Sequence, residues 1–298
     1  MRAAIAILRA RTSPQRSILV YHIDLPANDF STLFDVLESD PDSYVVADPN
    51  AFPSAIGRSF YRSVLPPNHA DLAWSSYAAQ WLSQIPRRIP NHFYIPCSTG
   101  GVRAAFDHQA AVDWEKFLSL RATELRPGGR LVVALPAVAE DGSTPFAMIM
   151  DHANAVISEL VVAGVITAEE REQMILPACA RRKSDLLAPF ARDGQFQRLV
   201  VEHCSTSVVP DTAWSDYQLD KDVEAFARKR VQFFRATFVP SLALALAPHR
   251  TADERRTFAS RLEAGLSRRI AADPVRIDHP VGMIVLAKQV RSTRRRFA

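Results

Sequence analysis

The chain has 298 residues, of which 48% are hydrophobic and 23% are charged. These values are ordinary for a folded globular protein of one or two domains, and they exclude a largely disordered chain. The net charge of +4 includes five basic residues in the acid-free stretch KQVRSTRRRFA at the C-terminus. The rest of the chain is left at about −1, which argues against a nucleic-acid-binding surface.

Three cysteines, Cys97, Cys179 and Cys204, lie far apart and form no Cys-x-x-Cys or Cys/His spacing. Such a set argues for a reducing compartment and against a disulfide framework or a structural zinc site. The longest apolar run, FVPSLALALAP, is too short to cross a bilayer, and the apolar stretch at the N-terminus is too short for a signal-peptide core. We therefore expect a cytoplasmic protein.

The first predicted strand is Ile18–Asp24, a nearly continuous apolar run that ends in a carboxylate. In nucleotide-binding α/β sheets, an acid at this end of a strand binds the ribose hydroxyls of the cofactor. Asp24 is therefore a candidate ribose ligand, although a turn or N-cap acid has the same appearance. A nicotinamide-dependent oxidoreductase would also use such an acid, but it needs a G-x-G-x-x-G loop, and none is visible.

Two later stretches place polar and aromatic residues just after predicted strands. In GRSFYRSVLPP, Ser59 suits an adenine edge and Phe60 suits stacking on adenine, although packing alone explains both residues as well. In SSYAAQWLSQIP, Tyr77 and Trp81 are four residues apart, which in a helical turn places both rings on one face. Because parallel strands end at the ligand edge, these rings are expected to line a pocket for a flat organic acid; an aromatic pair in the core is the alternative.

The rest of the chain alternates between short strands and helices, which favours a mostly parallel α/β sheet. The other strands are predicted at about Ala55–Phe60, Ala70–Ser75, Arg130–Leu135, Arg198–Ser205 and Gly282–Lys288. A helix over about His108–Leu125 precedes RPGGRLVVALP, where Pro127 and the glycine pair are expected to turn the chain into a strand. Two strand-free blocks, the first with Thr167 as an N-cap, predict helices that cap the carboxyl edge of the sheet.

These patterns divide the chain into five segments: residues 1–136 as the first part of the core, 137–180 as a helical cap, 181–221 as the second part of the core, 222–270 as cap and core-packing helices, and 271–298 as the last strand and a basic tail. None of the eight histidines has a metal-ligand spacing, and no Ser/His/Asp set, nucleophile elbow or P-loop is visible. The sequence therefore predicts no metal site and no catalytic acid, base or nucleophile.

Three blocks of the chain, DLPANDFSTLF, GRSFYRSVLPPNHADLAWSSYAAQWLSQIP and FLSLRATELRPGGRLVVALP, resemble the conserved blocks of the salicylate/benzoate/theobromine-type (SABATH) methyltransferases, in the same order. Weaker similarity continues to GMIVLAKQ, so that the resemblance covers nearly the whole chain. Members of this family use S-adenosyl-L-methionine (SAM) to methylate carboxylates, or ring nitrogens, of small molecules. The resemblance implies a class I methyltransferase (Rossmann-like) sheet with a helical cap.

The resemblance also implies SAM as the cofactor and gives individual residues a place. The cofactor-binding residues would be Asp24 at the ribose, Leu25, Ser59 and Phe60 at the adenine, and Ser76 near the methionine end. The substrate-binding residues would be Tyr77, Gln80 and Trp81, with the indole N–H reaching the acceptor carboxylate, and Phe234 as an apolar wall from the cap. Gln80 stands where many relatives have an apolar residue, which leaves the polarity of the acceptor open.

In the family, the first strand and an acidic glycine loop precede the block that begins here at Met1, so the sheet is expected to be incomplete at the N-terminus. Either the assigned start is wrong, or the short chain is real. The implied reaction is methyl transfer to a small carboxylic acid, by positioning and without a general base. The alternative is a non-catalytic, N-terminally truncated methyltransferase-like binding protein. We expect no nucleic-acid or membrane partner, and a homodimer as the candidate assembly.

Overall fold

The structure is a computed structural model that describes residues 1–140, 142–144 and 146–290. It divides into two compact units, Met1–His69 (unit 1) and Ala70–Ala298 (unit 2). The five-segment division into core and cap stays a prediction. The predicted basic tail beyond residue 290 lies outside the described residues.

Unit 1 contains a parallel pair of strands. Strand β1 is Ile18–Asp24, as predicted, and strand β2 is Ala51–Gly57, which begins and ends earlier than the predicted Ala55–Phe60. Pro53 obscures β2 in the sequence, because a proline has no N–H to give to a strand ladder. The strand tolerates Pro53 because, within the described sheet, β2 pairs with β1 alone and has one edge unpaired.

The helices of unit 1 are α1 (Arg2–Arg9), α2 (Phe30–Ser39) and α3 (Tyr44–Ala47). They supply a small core together with the strands: Ile5, Val20, Leu37, Tyr44 and Ala51. Arg9 binds the Asp48 carboxylate with two hydrogen bonds, Nε to Oδ2 at 2.8 Å and Nη2 to Oδ1 at 3.1 Å. This pair ties α1 to the turn before β2.

Unit 2 contains a five-stranded sheet in the order β3-β4-β7-β6-β5. Its strands are β3 (Ala70–Ser76), β4 (Leu125–Pro136), β5 (Gln195–Phe196), β6 (Leu199–Val209) and β7 (His279–Lys288). Strands β3 and β4 are parallel, whereas β7 is antiparallel to both β4 and β6. The three strands β3, β4 and β6 therefore run in one direction, as predicted for most of the sheet. Three of the four pairings are nevertheless antiparallel, two because β7 is inserted between β4 and β6 and the third because β5 pairs with β6.

The helix before β4 is longer than predicted. Helix α4 covers Gly100–Glu124, about two turns more than the predicted His108–Leu125, and β4 follows at once. The pairing of β3 with β4 shifts from Ala70 opposite Leu125 to Leu72 opposite Arg130. The Pro-Gly-Gly segment is therefore a bulge inside β4 and not the turn from helix to strand, because the helix has already ended before it.

The described part of unit 2 also contains seven further α-helices: α5 (Ala147–Val162), α6 (Ala168–Gln173), α7 (Lys183–Leu187), α8 (Thr212–Asp220), α9 (Val223–Thr237), α10 (Val239–Ala243) and α11 (Ala252–Ala272). Thr167 caps α6 as predicted, in a reciprocal capping box with Glu170. Helices α5, α9 and α11 form a large apolar core. A Cβ at Gly265 of α11 would lie 2.5 Å from Val156 Cγ1 of α5, so glycine allows the close packing of these two helices. Within the described residues, no helix is both long and apolar enough to span a membrane.

Candidate functional site

The strand ends of unit 1 bring Asp24 next to the segment that holds Ser59 and Phe60. Asp24, the last residue of β1, is opposite Gly57, the last residue of β2, so both strands end at one edge. The Asp24 carboxylate is exposed, and its Oδ1 accepts the Leu25 N–H at 2.7 Å. No hydrogen bond to Oδ2 is formed by the residues that the structure describes. This oxygen is available to a ligand hydroxyl.

The residues beside Asp24 offer apolar surface. Leu25 is 55% exposed, and the half-buried Phe60 ring lies 4.6 Å from the Tyr61 ring. The Ser59 hydroxyl accepts the Tyr61 N–H at 3.2 Å, which fixes the turn after β2. A Cβ at Gly57 would lie 3.3 Å from Pro26 Cα, so glycine lets the two strand-end turns approach closely. A carboxylate flanked by apolar side chains suits a nucleoside.

The strand ends of unit 2 meet at a second edge. Ser76 ends β3 opposite Ala134 of β4, and β7, which runs the other way, begins at this edge with His279. Tyr77 follows Ser76 and donates its N–H to the Ala134 carbonyl at 2.9 Å. The Tyr77 ring stacks on the His279 ring with 5.6 Å between centroids and an interplanar angle of 18°. The sheet thus places a tyrosine and a histidine side by side at its carboxyl edge.

The predicted helical turn over Tyr77 and Trp81 is wrong. Tyr77 has a φ of +51°, in the left-handed region, and the residues after it form a turn in which the Trp81 N–H donates to Ala78 O at 3.0 Å. Trp81 then pairs with Ala178 in an isolated bridge and packs against the helical core. A left-handed conformation at a bulky residue costs of order 1 kcal/mol, and strained residues of this kind cluster at functional sites.

The turn after β3 is fixed from one side by the segment before α7. The Cys179 N–H donates to Gln80 O at 2.9 Å, and the Leu82 N–H donates to Pro177 O at 2.7 Å. Gln80 is buried, and its Nε2 donates to Tyr77 O at 2.7 Å. Hydrogen bonds to the main chain thus fix the turn that contains Tyr77, Gln80 and Trp81, the three residues predicted to bind the methyl acceptor.

Helix α4 and Arg181 hold the same turn from the other side. The buried Asp113 carboxylate accepts the Ser83 N–H at 2.7 Å, the Ser83 hydroxyl at 2.6 Å and the Gln109 amide at 3.0 Å. Buried Arg181 donates to Ala79 O at 3.3 Å and to Ala110 O at 2.9 Å. Asp113 of α4 is 30 residues from its partner Ser83. Arg181 is 102 residues from Ala79 and connects it to Ala110 of α4.

Phe234 has no exposed surface and belongs to the helical core. Its ring lies 5.3 Å from Phe238, and Phe238 lies 6.2 Å from Phe146. The neighbouring Phe233 is 43% exposed, with its ring 5.2 Å from Phe146. Phe146 in turn lies 4.8 Å from His279. Ring contacts thus connect Phe234 to Tyr77 through Phe238, Phe146 and His279.

Burial sets the protonation of the two polar rings at this edge. It lowers the pKa of His279, so that the imidazole is neutral near pH 7, and it raises the pKa of Tyr77, so that the phenol keeps its proton. An uncharged aromatic surface results. It suits an organic molecule with a flat apolar body.

A separate cluster, His92, Cys97 and Asp151, brings three potential metal ligands within 4.8 Å of one another. His92 Nδ1 accepts the Tyr94 N–H at 2.9 Å, so the neutral ring carries its proton on Nε2, which faces Asp151 at 3.2 Å. A metal-bound histidine normally donates from its second nitrogen, and here that nitrogen is an acceptor. Burial also raises the pKa of the Cys97 thiol, which disfavours the thiolate that a metal needs. The arrangement suits a hydrogen-bonded cluster better than a metal site.

Sequence reasoning missed His279, Asp113, Arg181 and Phe146. His279 has a detectable signal, since it directly precedes the apolar run of the last strand. The roles of Asp113 and Arg181 arise from contacts between distant segments, and no local pattern indicates them.

The family profile described as "SAM dependent carboxyl methyltransferase" matches residues 4–283. Gibberellic acid methyltransferase 1 of Arabidopsis thaliana is 25% identical over 83% of this chain and 69% of its own length. Salicylate carboxymethyltransferase of Clarkia breweri is 29% identical over 70% of this chain and 57% of its own length. The chain thus spans between about half and two thirds of the curated relatives that it matches.

Among solved structures, loganic acid methyltransferase with SAH has a TM-score of 0.66 at 21% sequence identity. The match covers 92% of this chain and 75% of that chain. The two chains therefore share a fold, and the predicted class I methyltransferase-like architecture is confirmed.

Proposed function

Because the chain belongs to the family of SAM-dependent carboxyl methyltransferases, we propose that it transfers a methyl group from SAM to the carboxylate of a small organic acid. The observation that carries the proposal is the strand-end position of Asp24 opposite Gly57, with one carboxylate oxygen available and Ser59 and Phe60 just beyond. An acid at this end of a parallel strand is where such sheets bind a ribose.

The residues of unit 1 fit the nucleoside half of the cofactor. Asp24 accepts hydrogen bonds from the ribose hydroxyls, Leu25 and Phe60 contact the adenine ring, and Ser59 bonds its edge. Ser76, exposed at the end of β3, is assigned to the methionine half. When bound, SAM supplies an electrophilic methyl group.

The residues of the turn after β3 are assigned to the acceptor. Tyr77 and Trp81 orient the acid, with the indole N–H of Trp81 donating to its carboxylate, and Gln80 lies between them in the same turn. Phe234 supports this side as an apolar wall. Its complete burial implies that it acts through Phe233 and Phe238, which contact Phe146.

The chemistry needs no general base. A carboxylic acid with a pKa near ~4 is already ionised at pH 7, so its oxygen is a nucleophile without proton removal. The contribution of the protein is to align the acceptor oxygen with the methyl group and to exclude water. Such positioning can lower a barrier by up to roughly 7–11 kcal/mol. The fixed turn around Trp81 supports this role, since a positioning residue must itself be held in place.

Calorimetry with S-adenosylhomocysteine tests the donor side. We expect binding to the wild type, a loss of at least about tenfold in Asp24→Asn, and wild-type affinity in Asp35→Asn, which removes an exposed carboxylate elsewhere in unit 1. Trp81→Ala should keep this affinity while methyl transfer to acids falls. Equal loss of cofactor affinity and acceptor use would contradict the role of Trp81. No binding to the wild type would favour the non-catalytic alternative.

Two further parts of the proposal concern the oligomeric state and the cellular location. We propose a homodimer, which sedimentation velocity tests, and a cytoplasmic location. The proposed partner is a small carboxylic acid and not a nucleic acid, and a pull-down with nucleic acid that persists in high salt would contradict this.

A further inference from the structure

Unit 2 contains a cavity that is lined by none of the residues assigned to SAM or to the acceptor acid. It has a volume of about 640 Å³ and is lined by α6, by the segment that follows α6 and by the loop that joins α10 to α11. This volume lies within the range of about 300–1,000 Å³ that is usual for small-molecule sites. The cavity is therefore a candidate for a ligand of its own.

The walls of this cavity are joined by hydrogen-bonded side chains. Glu170 of α6 accepts the Ala247 N–H at 2.9 Å and two hydrogen bonds from Arg250, both of which lie in or next to the loop. Arg255 of α11 donates to Ala243 O at 3.0 Å and to Ala247 O at 2.9 Å. Because the loop is bound both to α6 and to α11, the walls are held at a fixed separation. Such preorganisation lowers the entropic cost of binding a ligand.

Much of the lining is apolar and open to solvent. Leu244 is 85% exposed and Ile85 is 46% exposed, and the buried side chains of Ile175 and Leu246 continue the apolar surface. Covering exposed apolar side chains removes their surface from water, which is favourable in proportion to the area covered. The cavity therefore suits a ligand with an apolar body.

The charged groups of the cavity favour a cation. All three nitrogens of the Arg250 guanidinium donate to carboxylate oxygens of Glu170 or Glu254, so this cation is already paired. The Glu169 carboxylate also lines the cavity, is exposed, and has no bonding partner among the residues that the structure describes. Together with Arg255, three carboxylates thus face two guanidinium groups. This arrangement repels a carboxylate ligand, whereas an ammonium group can pair with Glu169.

We infer that this cavity binds a small organic cation, with an apolar body that covers Leu244 and Ile85 and an ammonium group that pairs with Glu169. The inference goes beyond the proposed function, because the site needs neither SAM nor an acid. Its ligand is opposite in charge to the proposed acceptor. Binding of the cation and transfer of a methyl group can therefore succeed or fail independently of each other.

A matched pair of probes tests the chemistry of the ligand. 4-Phenylbutylamine and 4-phenylbutan-1-ol share one apolar body, but only the amine is charged. His249 also lines the cavity, and because protonation of its ring would oppose the amine, the titration is done at about pH 8. Ligand-observed NMR in about 20 mM salt should give the amine a Kd of roughly 0.1–1 mM, about two- to fivefold tighter than the alcohol.

Salt gives the same pair of probes a second readout. In about 0.5 M salt, most of the advantage of the amine should disappear while the affinity of the alcohol is kept, since the ion pair is screened and the apolar contact is not. No binding of the amine at about 5 mM, or equal affinities of the two probes in low salt, would overturn the inference.

Two variants and their matched controls assign the binding to this cavity. Glu169→Gln should remove the advantage of the amine, whereas Glu115→Gln, at an exposed carboxylate of α4, should keep it. Leu244→Ala should weaken both probes by about threefold or more, whereas Leu219→Ala, which changes a leucine that is 86% exposed outside the cavity, should not. All four side chains are exposed, so these variants are expected to fold. Equal effects in the test variants and their controls would place the binding elsewhere and overturn the inference.

Discussion

The strand-end edges of the two units are built on the same principle but held in place differently. In unit 1, the side-chain bonds at this edge join near neighbours, Leu25 to Asp24 and Tyr61 to Ser59, while the Arg58 N–H joins the two strand ends by donating to the Asp24 carbonyl at 2.7 Å. In unit 2, the turn after β3 is fixed by Asp113 and Arg181, which come from distant segments. The first edge exposes one carboxylate between apolar side chains, and the second edge is aromatic and half-buried. Local side-chain bonds thus orient one exposed carboxylate in unit 1, whereas buried charged side chains from distant segments hold the turn after β3 in unit 2.

The largest expected effect concerns the helical core behind the second edge. Phe234→Ala removes a ring with no exposed surface and should lower the free energy of unfolding by about 3–5 kcal/mol. Phe233→Ala, the matched control on the exposed side of the same helix, should cost less than about 1.5 kcal/mol. Urea denaturation measures both. Similar losses would mean that Phe234 is not a core residue and that this side of unit 2 is as loosely packed as the first edge.

A slightly smaller effect comes from an ion pair in unit 2. Glu170 in α6 accepts two hydrogen bonds from Arg250, at 2.9 and 2.7 Å, and these bonds hold its pKa at about 2. Because the folded-state pKa lies below the unfolded value, the stabilisation is complete above about pH 4.5 and is lost as the pH falls towards 2. Because water screens part of the interaction, the stabilisation is at most about 3 kcal/mol.

Glu170→Gln should therefore lower stability near pH 7 and flatten its dependence on pH between about 4.5 and 2. Glu169→Gln, which changes the exposed neighbour on the same helix, should leave both properties close to wild type. Denaturation at a series of pH values measures the slopes. If the slope of stability against pH in Glu170→Gln equals that of the wild type, the Glu170–Arg250 pair does not stabilise unit 2.

Features that depend on local contacts are predicted from the sequence, and features that depend on contacts between distant segments are not. Strand β1 is predicted at its observed bounds and β3 to within one residue, because both are short runs bounded by polar residues. The capping residue Thr167 is readable for the same reason, since its partner Glu170 is three residues away. Tyr77 and Trp81 mislead, because a spacing of four suggests a helix where the chain makes a left-handed turn. No local signal marks Asp113, whose partner Ser83 is 30 residues away.

Asp113 allows the difference between local and distant support to be tested directly. Asp113→Ala leaves three donors of Ser83 and Gln109 without their acceptor and should lower stability by about 2–3 kcal/mol. The loss is limited because Ser83 is exposed, so that water can replace part of the lost hydrogen bonding. Ser83→Ala removes only the hydroxyl bond and should cost about 1 kcal/mol. In both variants cofactor affinity should persist while KM for the acid rises. A purely structural role would leave KM unchanged.

The smallest expected effect belongs to the first edge. Gly57→Ala introduces a Cβ 3.3 Å from Pro26 Cα and 3.5 Å from the Phe30 ring, so the strand-end turns must move apart by a few tenths of an ångström, at a cost of about 1 kcal/mol or less. Gly101→Ala is the control in unit 2, where no atom lies within 4 Å and alanine should stabilise α4 slightly. Because Asp24 pairs with Gly57, the same small shift should weaken S-adenosylhomocysteine binding more than it weakens folding. Calorimetry and urea denaturation of the two variants measure this ratio. Unchanged affinity in Gly57→Ala would mean that the first edge tolerates displacement and that close approach of its turns does not shape the proposed nucleoside site.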